Sequence, residues 1–207
     1  ATPGPTAWRG KLSTSGRYLV SMHCVSGAPL PDHQVFVRDL QRPDTPIITA
    51  SGCRWFDFSC GERFIAYSTG RRSIEICSLE SGQIVKQIPL DYFARRLQWS
   101  GEGPQIAVIA DGGPEVEIWD VAGEPKCIAR YEISGSAFAL GWRSEPFALA
   151  VGTVQGSVLW WQDDLSSTPK RLPLHSNNVI WLHFHPHREL LFSNAWDGTA
   201  RIIDPNS

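Results

Sequence analysis

Apolar residues in this chain come as short alternating runs separated by turn signals, with no helical 3.6-residue stripe over any long stretch. Five of these runs end in or near an acidic residue: 35–40 (VFVRDL), 74–79 (IEICSL), 116–121 (VEIWDV), 158–163 (VLWWQD) and 200–205 (ARIIDP). Their starts are offset by 39, 42, 42 and 42 residues. The run at 179–184 (VIWLHF) alternates and stops at His185-Pro186, and a second strand is predicted at 190–195. Trp196-Asp197-Gly198-Thr199 then carries Asp-Gly at its centre, a strong hairpin signal, before the strand at 200–204. The other repeats have the same order. First and second strands are predicted at 12–16 and 18–23, 56–59 and 64–69, 97–100 and 105–110, and 140–142 and 147–151, with fourth strands at 47–50, 84–90, 126–133 and 170–174.

A fixed period near 42 residues, with four short strands per period, predicts an all-β chain of β-propeller architecture, one blade per repeat. The blades fall at about 7–51, 52–92, 93–135, 136–176 and 177–207, the last without a fourth strand, and residues 1–6 read as a linker. Pro3 and Pro5 make that linker a poor closing strand, because proline donates nothing to a ladder. The expectation is therefore an incomplete or open ring. Blades elsewhere in a longer protein, a partner chain or self-association would complete it; a five-bladed ring is the alternative. The chain begins with Ala1, which reads as a mature form or an excised piece.

The fifth repeat, HSNNVIWLHFHPHRELLFSNAWDGTARIID, resembles the WD-repeat consensus. His175, Ser193 and Asp197 match its histidine, its second-strand hydroxyl and its turn aspartate in order and spacing. The third repeat has a literal Trp119-Asp120. The fourth keeps only the tryptophan (Trp161-Gln162), the first only the aspartate (Arg38-Asp39), the second neither (Cys77-Ser78), and Ile203-Asp204 replaces the pair in the fifth. The resemblance spans residues 7–205. It implies that His175, Ser193 and Asp197 form a structural hydrogen-bond network within the blade, because buried polar groups must be paired. It also implies partner contacts at the residue before the turn aspartate and at those flanking the first apolar residue of each opening strand. Carried over position by position, these are Trp196, Asn178, Ile180, Phe138, Phe93, Arg95 and Arg54, with Ser136 and Gly52 at equivalent places.

Charge and candidate chemistry narrow the function. A net charge of −2 argues against general nucleic-acid or membrane-surface binding, and no apolar run approaches the ~20 residues of a membrane span. The five cysteines are odd in number and match no zinc or disulfide spacing, which points to a reducing, cytoplasmic setting. There is no P-loop, G-x-S-x-G, C-x-x-C or H-E-x-x-H. His183, His185 and His187 alternate as a weak metal candidate, but a fourth ligand cannot be specified, so no metal and no cofactor are expected. The pairs Arg71-Arg72 and Arg95-Arg96 are candidates for binding phosphate or acidic peptide, or else form a solvated rim. Trp99 and Trp142 are expected in the core, and Trp160 and Trp161 on opposite faces of one strand.

The reading is a non-enzymatic scaffold that binds a partner protein or peptide through the loop face of a propeller. One alternative is an accessory or sensor domain of a larger enzyme such as a protein kinase or ATPase. Another is a small-ligand or metal-binding propeller.

Overall fold

The computed structural model describes residues 7–24, 33–101, 103–143, 146–162, 164–185 and 188–204. Among them the regular structure is β-strand apart from one short 3-10 turn at Cys60–Glu62. It forms two compact units, residues 1–93 and 94–207.

The first unit holds two four-stranded antiparallel sheets, each in simple chain order. One comprises β1 (Ala7–Leu12), β2 (Tyr18–Cys24), β3 (His33–Asp39) and β4 (Ile48–Ala50); the other β5 (Phe56–Phe58), β6 (Phe64–Ser68), β7 (Ser73–Ser78) and β8 (Ile84–Pro89). Alternation decides what is buried: Tyr18, Val20 and Met22 of β2 and Val35 and Val37 of β3 point inward, and their neighbours are only partly covered. These residues pack with Phe56, Phe58, Ile65 and Tyr67 of the second sheet into one core.

The second unit holds three sheets. The first of them is β9 (Ala94–Trp99), β10 (Gln105–Ala110), β11 (Glu115–Asp120) and β12 (Lys126–Glu132); the next is β13 (Ala137–Arg143), β14 (Ala148–Thr153), β15 (Ser157–Trp161) and β16 (Lys170–Pro173). The last has three strands among the described residues: β17 (Val179–Phe184), β18 (Leu191–Ala195) and β19 (Ala200–Ile203). The middle sheet is covered on both faces. Leu149, Val151, Leu159 and Trp161 pack toward β10 and β11, while Ala150, Val158 and Trp160 pack against Val179, Leu182, Phe184 and Leu191. Coverage on both sides is why β14 and β15 read as continuous apolar runs. Trp160 and Trp161 do lie on opposite faces and are both buried, and Trp99 and Trp142 are buried as expected.

The predicted strands agree with these to within a few residues, with one correction. Residues 12–16 are not the first strand; it is Ala7–Leu12, and 13–17 form a turn. The Ser13 hydroxyl accepts the Tyr18 N–H at 3.1 Å, and Gly16 takes φ 73°. A serine-rich stretch that satisfies its own backbone in this way favours a turn over a ladder. Residues 1–6, read as a linker unsuited to close the last sheet, lie outside the described residues.

One irregularity recurs and bears on the site. In the second unit the ladder between first and second strands slips by one residue at the same place in every sheet: between Ala94 and Arg96, Ala137 and Ala139, and Val179 and Trp181. The extra, unpaired residues are Arg95, Phe138 and Ile180. Such a β-bulge twists the strand and re-aims a side chain.

Candidate functional site

The hairpin between β18 and β19 is held by Asp197. Its carboxylate accepts the backbone N–H of Ser176 at 2.9 Å and that of Thr199 at 2.9 Å, and the Thr199 hydroxyl donates to it at 2.7 Å. The His175 Nδ1 lies 3.2 Å from Asp197 and 2.9 Å from the Thr199 hydroxyl, and its Nε2 lies 2.9 Å from the hydroxyl of Ser193. A consistent proton assignment follows. Nδ1–H donates toward the acidic side, and Nε2 accepts from Ser193. The Thr199 hydroxyl first, then the Ser176 amide, hold the Asp197 carboxyl well below the usual carboxylate range. The His175 and Ser193 side chains are buried. His175, Ser193 and Asp197 thus meet as the repeat spacing implies. Thr199 is the member the sequence reading missed, although it sits in the same four-residue turn.

This network fixes the backbone on which Trp196 stands. The Trp196 N–H donates to the Asn178 carbonyl at 3.0 Å, while the indole is 60% exposed. Its ring meets Phe138 edge to face, centroids 5.2 Å apart at 69°. The guanidinium of Arg95 stacks on the same Phe138 ring, 3.5 Å from its centroid, and pairs with Asp111 at 2.6 Å. Three of the carried-over positions (Trp196, Phe138 and Arg95) therefore touch in sequence, with Asn178 beneath. Two of the three are bulge residues. Ile180, the third bulge residue, is half-buried and contributes its carbonyl.

Arg96 behaves quite differently from its neighbour. It is buried, and it donates from Nε to the Phe138 carbonyl at 2.9 Å and from Nη2 to the Ile180 carbonyl at 2.5 Å, with Trp181 5.3 Å away. It ties β9, β13 and β17 together. Gln98 helps: its amide donates to the Trp142 carbonyl at 3.1 Å and accepts the Trp142 N–H at 3.0 Å. The reading of Arg96 as part of a solvated rim is corrected, because its guanidinium is buried against the Phe138 and Ile180 carbonyls. Both guanidiniums already have partners within the unit, because the bulge at Arg95 turns one outward onto Phe138 and leaves the next facing the adjoining strands.

In the first unit, Arg54 and Phe93 also meet. The Arg54 guanidinium lies 5.1 Å from the Phe93 ring centroid, and Arg72 approaches the same ring at 5.2 Å. Gly52 turns the preceding loop at φ 74°. Of the histidine triplet, His183 and His185 are exposed, and His187 lies outside the described residues. Among the described residues no three histidine, cysteine or acidic side chains are placed to hold a metal ion. Among the described residues no helix is long and apolar enough to cross a membrane.

Comparison with known proteins places the fold. No family model matches the chain, and no curated protein matches it. Among solved structures it is similar to the β-propeller domain of Cps50 (Swd1) from Myceliophteria thermophila, with a TM-score of 0.75 and 13% sequence identity. The match covers 95% of this chain and 64% of that domain. The architecture is that of a β-propeller. With 1425 solved chains matching, the fold itself selects no single activity, and function has to be argued from the side chains.

Proposed function

We propose that this chain is a non-enzymatic interaction domain of WD-repeat type that binds a partner protein or peptide through the cluster Trp196, Phe138 and Arg95. The observation that carries the reading is Trp196. A 60%-exposed indole stands on a turn over-determined by hydrogen bonds and leans on a second aromatic that is itself capped by an arginine. Tryptophan, aromatic and arginine anchors on a rigid scaffold are the composition of interface hot spots. The bulges at Arg95 and Phe138 support it, since bulged strands re-aim side chains where ligands meet sheets. WD-repeat membership draws on the His175–Ser193–Asp197 network and the Trp119-Asp120 pair. A reducing cytoplasmic compartment suits Cys24 and Cys60, which are exposed free thiols. The test is affinity capture with the full chain and with Trp196→Ala. The variant should keep the wild-type melting curve and lose its specific partner by roughly 2 kcal/mol or more. A variant that binds equally well, or that melts without cooperativity, overturns the assignment.

A further inference from the structure

Threonine followed by proline occurs three times in the chain, at Thr2-Pro3, Thr45-Pro46 and Thr168-Pro169. The third residue after the threonine is Pro5, Ile48 and Arg171 respectively. Only the last step therefore carries a cation at that place, with Lys170 before it. The two steps within the described residues also differ in their surroundings. Thr45 is exposed, but Ile47 behind it is half-buried and Ile48 is buried in β4. At the other step Thr168, Lys170 and Arg171 are all exposed, and Pro169 is partly exposed.

The turn before Thr168 is firmly held. The Asp164 carboxylate accepts the Ser166 N–H at 2.7 Å, the Ser167 N–H at 3.2 Å and the Ser166 hydroxyl at 2.6 Å, and the Ser167 hydroxyl donates to the Asp164 carbonyl at 3.0 Å. Leu165 is buried, and the Trp161 indole N–H donates to the Ser167 carbonyl at 3.0 Å. Both serine hydroxyls are thus engaged within the turn, and Thr168 carries the first hydroxyl beyond it. Pro169 biases Thr168 toward an extended backbone. The chain then enters β16, which is paired on one side, with β15, among the described residues. A protein kinase works on a substrate hydroxyl held in line with a nucleoside triphosphate, and an exposed, already extended segment costs little to place there. In an extended segment residues two apart face the same way, so Pro169 and Arg171 project together. An apolar slot for the pyrrolidine and a carboxylate for the guanidinium would read both. The Arg171 Nε donates to the Ser157 hydroxyl at 3.2 Å, which steadies the side chain while it stays exposed.

We propose that Thr168 is a phosphorylation site for a proline-directed serine/threonine kinase that also reads a basic residue three positions on. The γ-phosphoryl group of a nucleoside triphosphate passes to the Thr168 Oγ1, and the bond to the β-phosphate oxygen breaks. The nucleoside diphosphate leaves, and the hydroxyl proton goes to the kinase's catalytic carboxylate. The site shares no residue with the Trp196 cluster. The test is the folded full chain incubated with a purified kinase of that specificity and labelled Mg-ATP, with the modified residue located by peptide mass spectrometry. Label should appear at Thr168. Thr168→Ala should lose it and Thr45→Ala should keep it. Arg171→Ala should slow labelling at least about 10-fold, because a charged hydrogen bond to the kinase is lost. Arg171→Lys should recover most of the rate, which a purely structural role for the Ser157 bond would not produce. The phosphorylated chain should keep the melting curve of the unmodified one, because Thr168 is exposed. Equal labelling of Thr45 and Thr168, undiminished labelling of Thr168→Ala, an unchanged rate for Arg171→Ala, or labelling only after heat denaturation would each overturn the proposal.

Discussion

Asp197 gathers three donors into one carboxylate, and its ionisation is therefore linked to folding. Its folded pKa lies below that of the unfolded chain, about 3.9. The stabilisation is thus complete above that value and is lost as pH falls through the folded pKa. Thermal melts should show a steeper loss below about pH 4 for the native chain than for Asp197→Asn, which starts lower and has no carboxylate to protonate. Equal acid slopes for the two would mean that the turn contributes nothing through its charge. His175→Ala should cost about 1–3 kcal/mol, because the buried Ser193 hydroxyl loses its partner; unfolding in denaturant measures it. At this scale the sequence is legible where spacing fixes chemistry. His175, Ser193 and Asp197 meet because a repeat motif encodes a shared turn. Arg95 and Arg96 were indistinguishable in one dimension, since a one-residue slip in a ladder between β9 and β10 decides which faces outward.

Arg96 adds a polar tie to the apolar packing of the three first strands of the second unit. Its two bonds to the carbonyls of Phe138 and Ile180 span three sheets, and removing the guanidinium takes a charged donor from both. Arg96→Ala should therefore lower stability by about 2–3 kcal/mol. Arg95→Ala, which removes a half-buried stack on Phe138 and an ion pair with Asp111, should leave the denaturation midpoint within about 1 kcal/mol and act on partner binding instead. If both variants lose equal stability, the division of labour between these neighbours is wrong. Gly156 is a second constraint at this scale. A Cβ there would come within 2.0 Å of the His175 carbonyl oxygen, so Gly156→Ala should push the β14–β15 hairpin away from the network that holds Asp197. Most strands were legible because alternation and turn residues are local signals. The first strand escaped because Arg9, Gly10 and Lys11 interrupt its apolar pattern, while the neighbouring Leu12-Ser13-Thr14-Ser15 looked more regular than it is.

The period of 42 residues made the propeller architecture legible at the scale of the whole molecule, because each repeat must stack on another to bury its faces. The same logic exposes the last sheet. Within the second unit its sister sheet, β13–β16, is covered on both faces, while His183, Phe192 and Ile202, paired across β17, β18 and β19, line up on one face as exposed side chains. Ile202 is 73% exposed, Phe192 38% and Trp181 40%. Among the described residues β19 also has no neighbour on its outer edge. An apolar sheet face beside an unpaired edge strand favours association, since both the side chains and the ladder groups gain partners. The isolated chain should accordingly associate as its concentration rises, seen as a growing mass in light scattering. Ile202→Lys should suppress that growth without lowering the melting temperature, because the side chain gives up no buried contact. A chain that stays monomeric at every concentration, with or without the substitution, would show that this face is satisfied within the molecule.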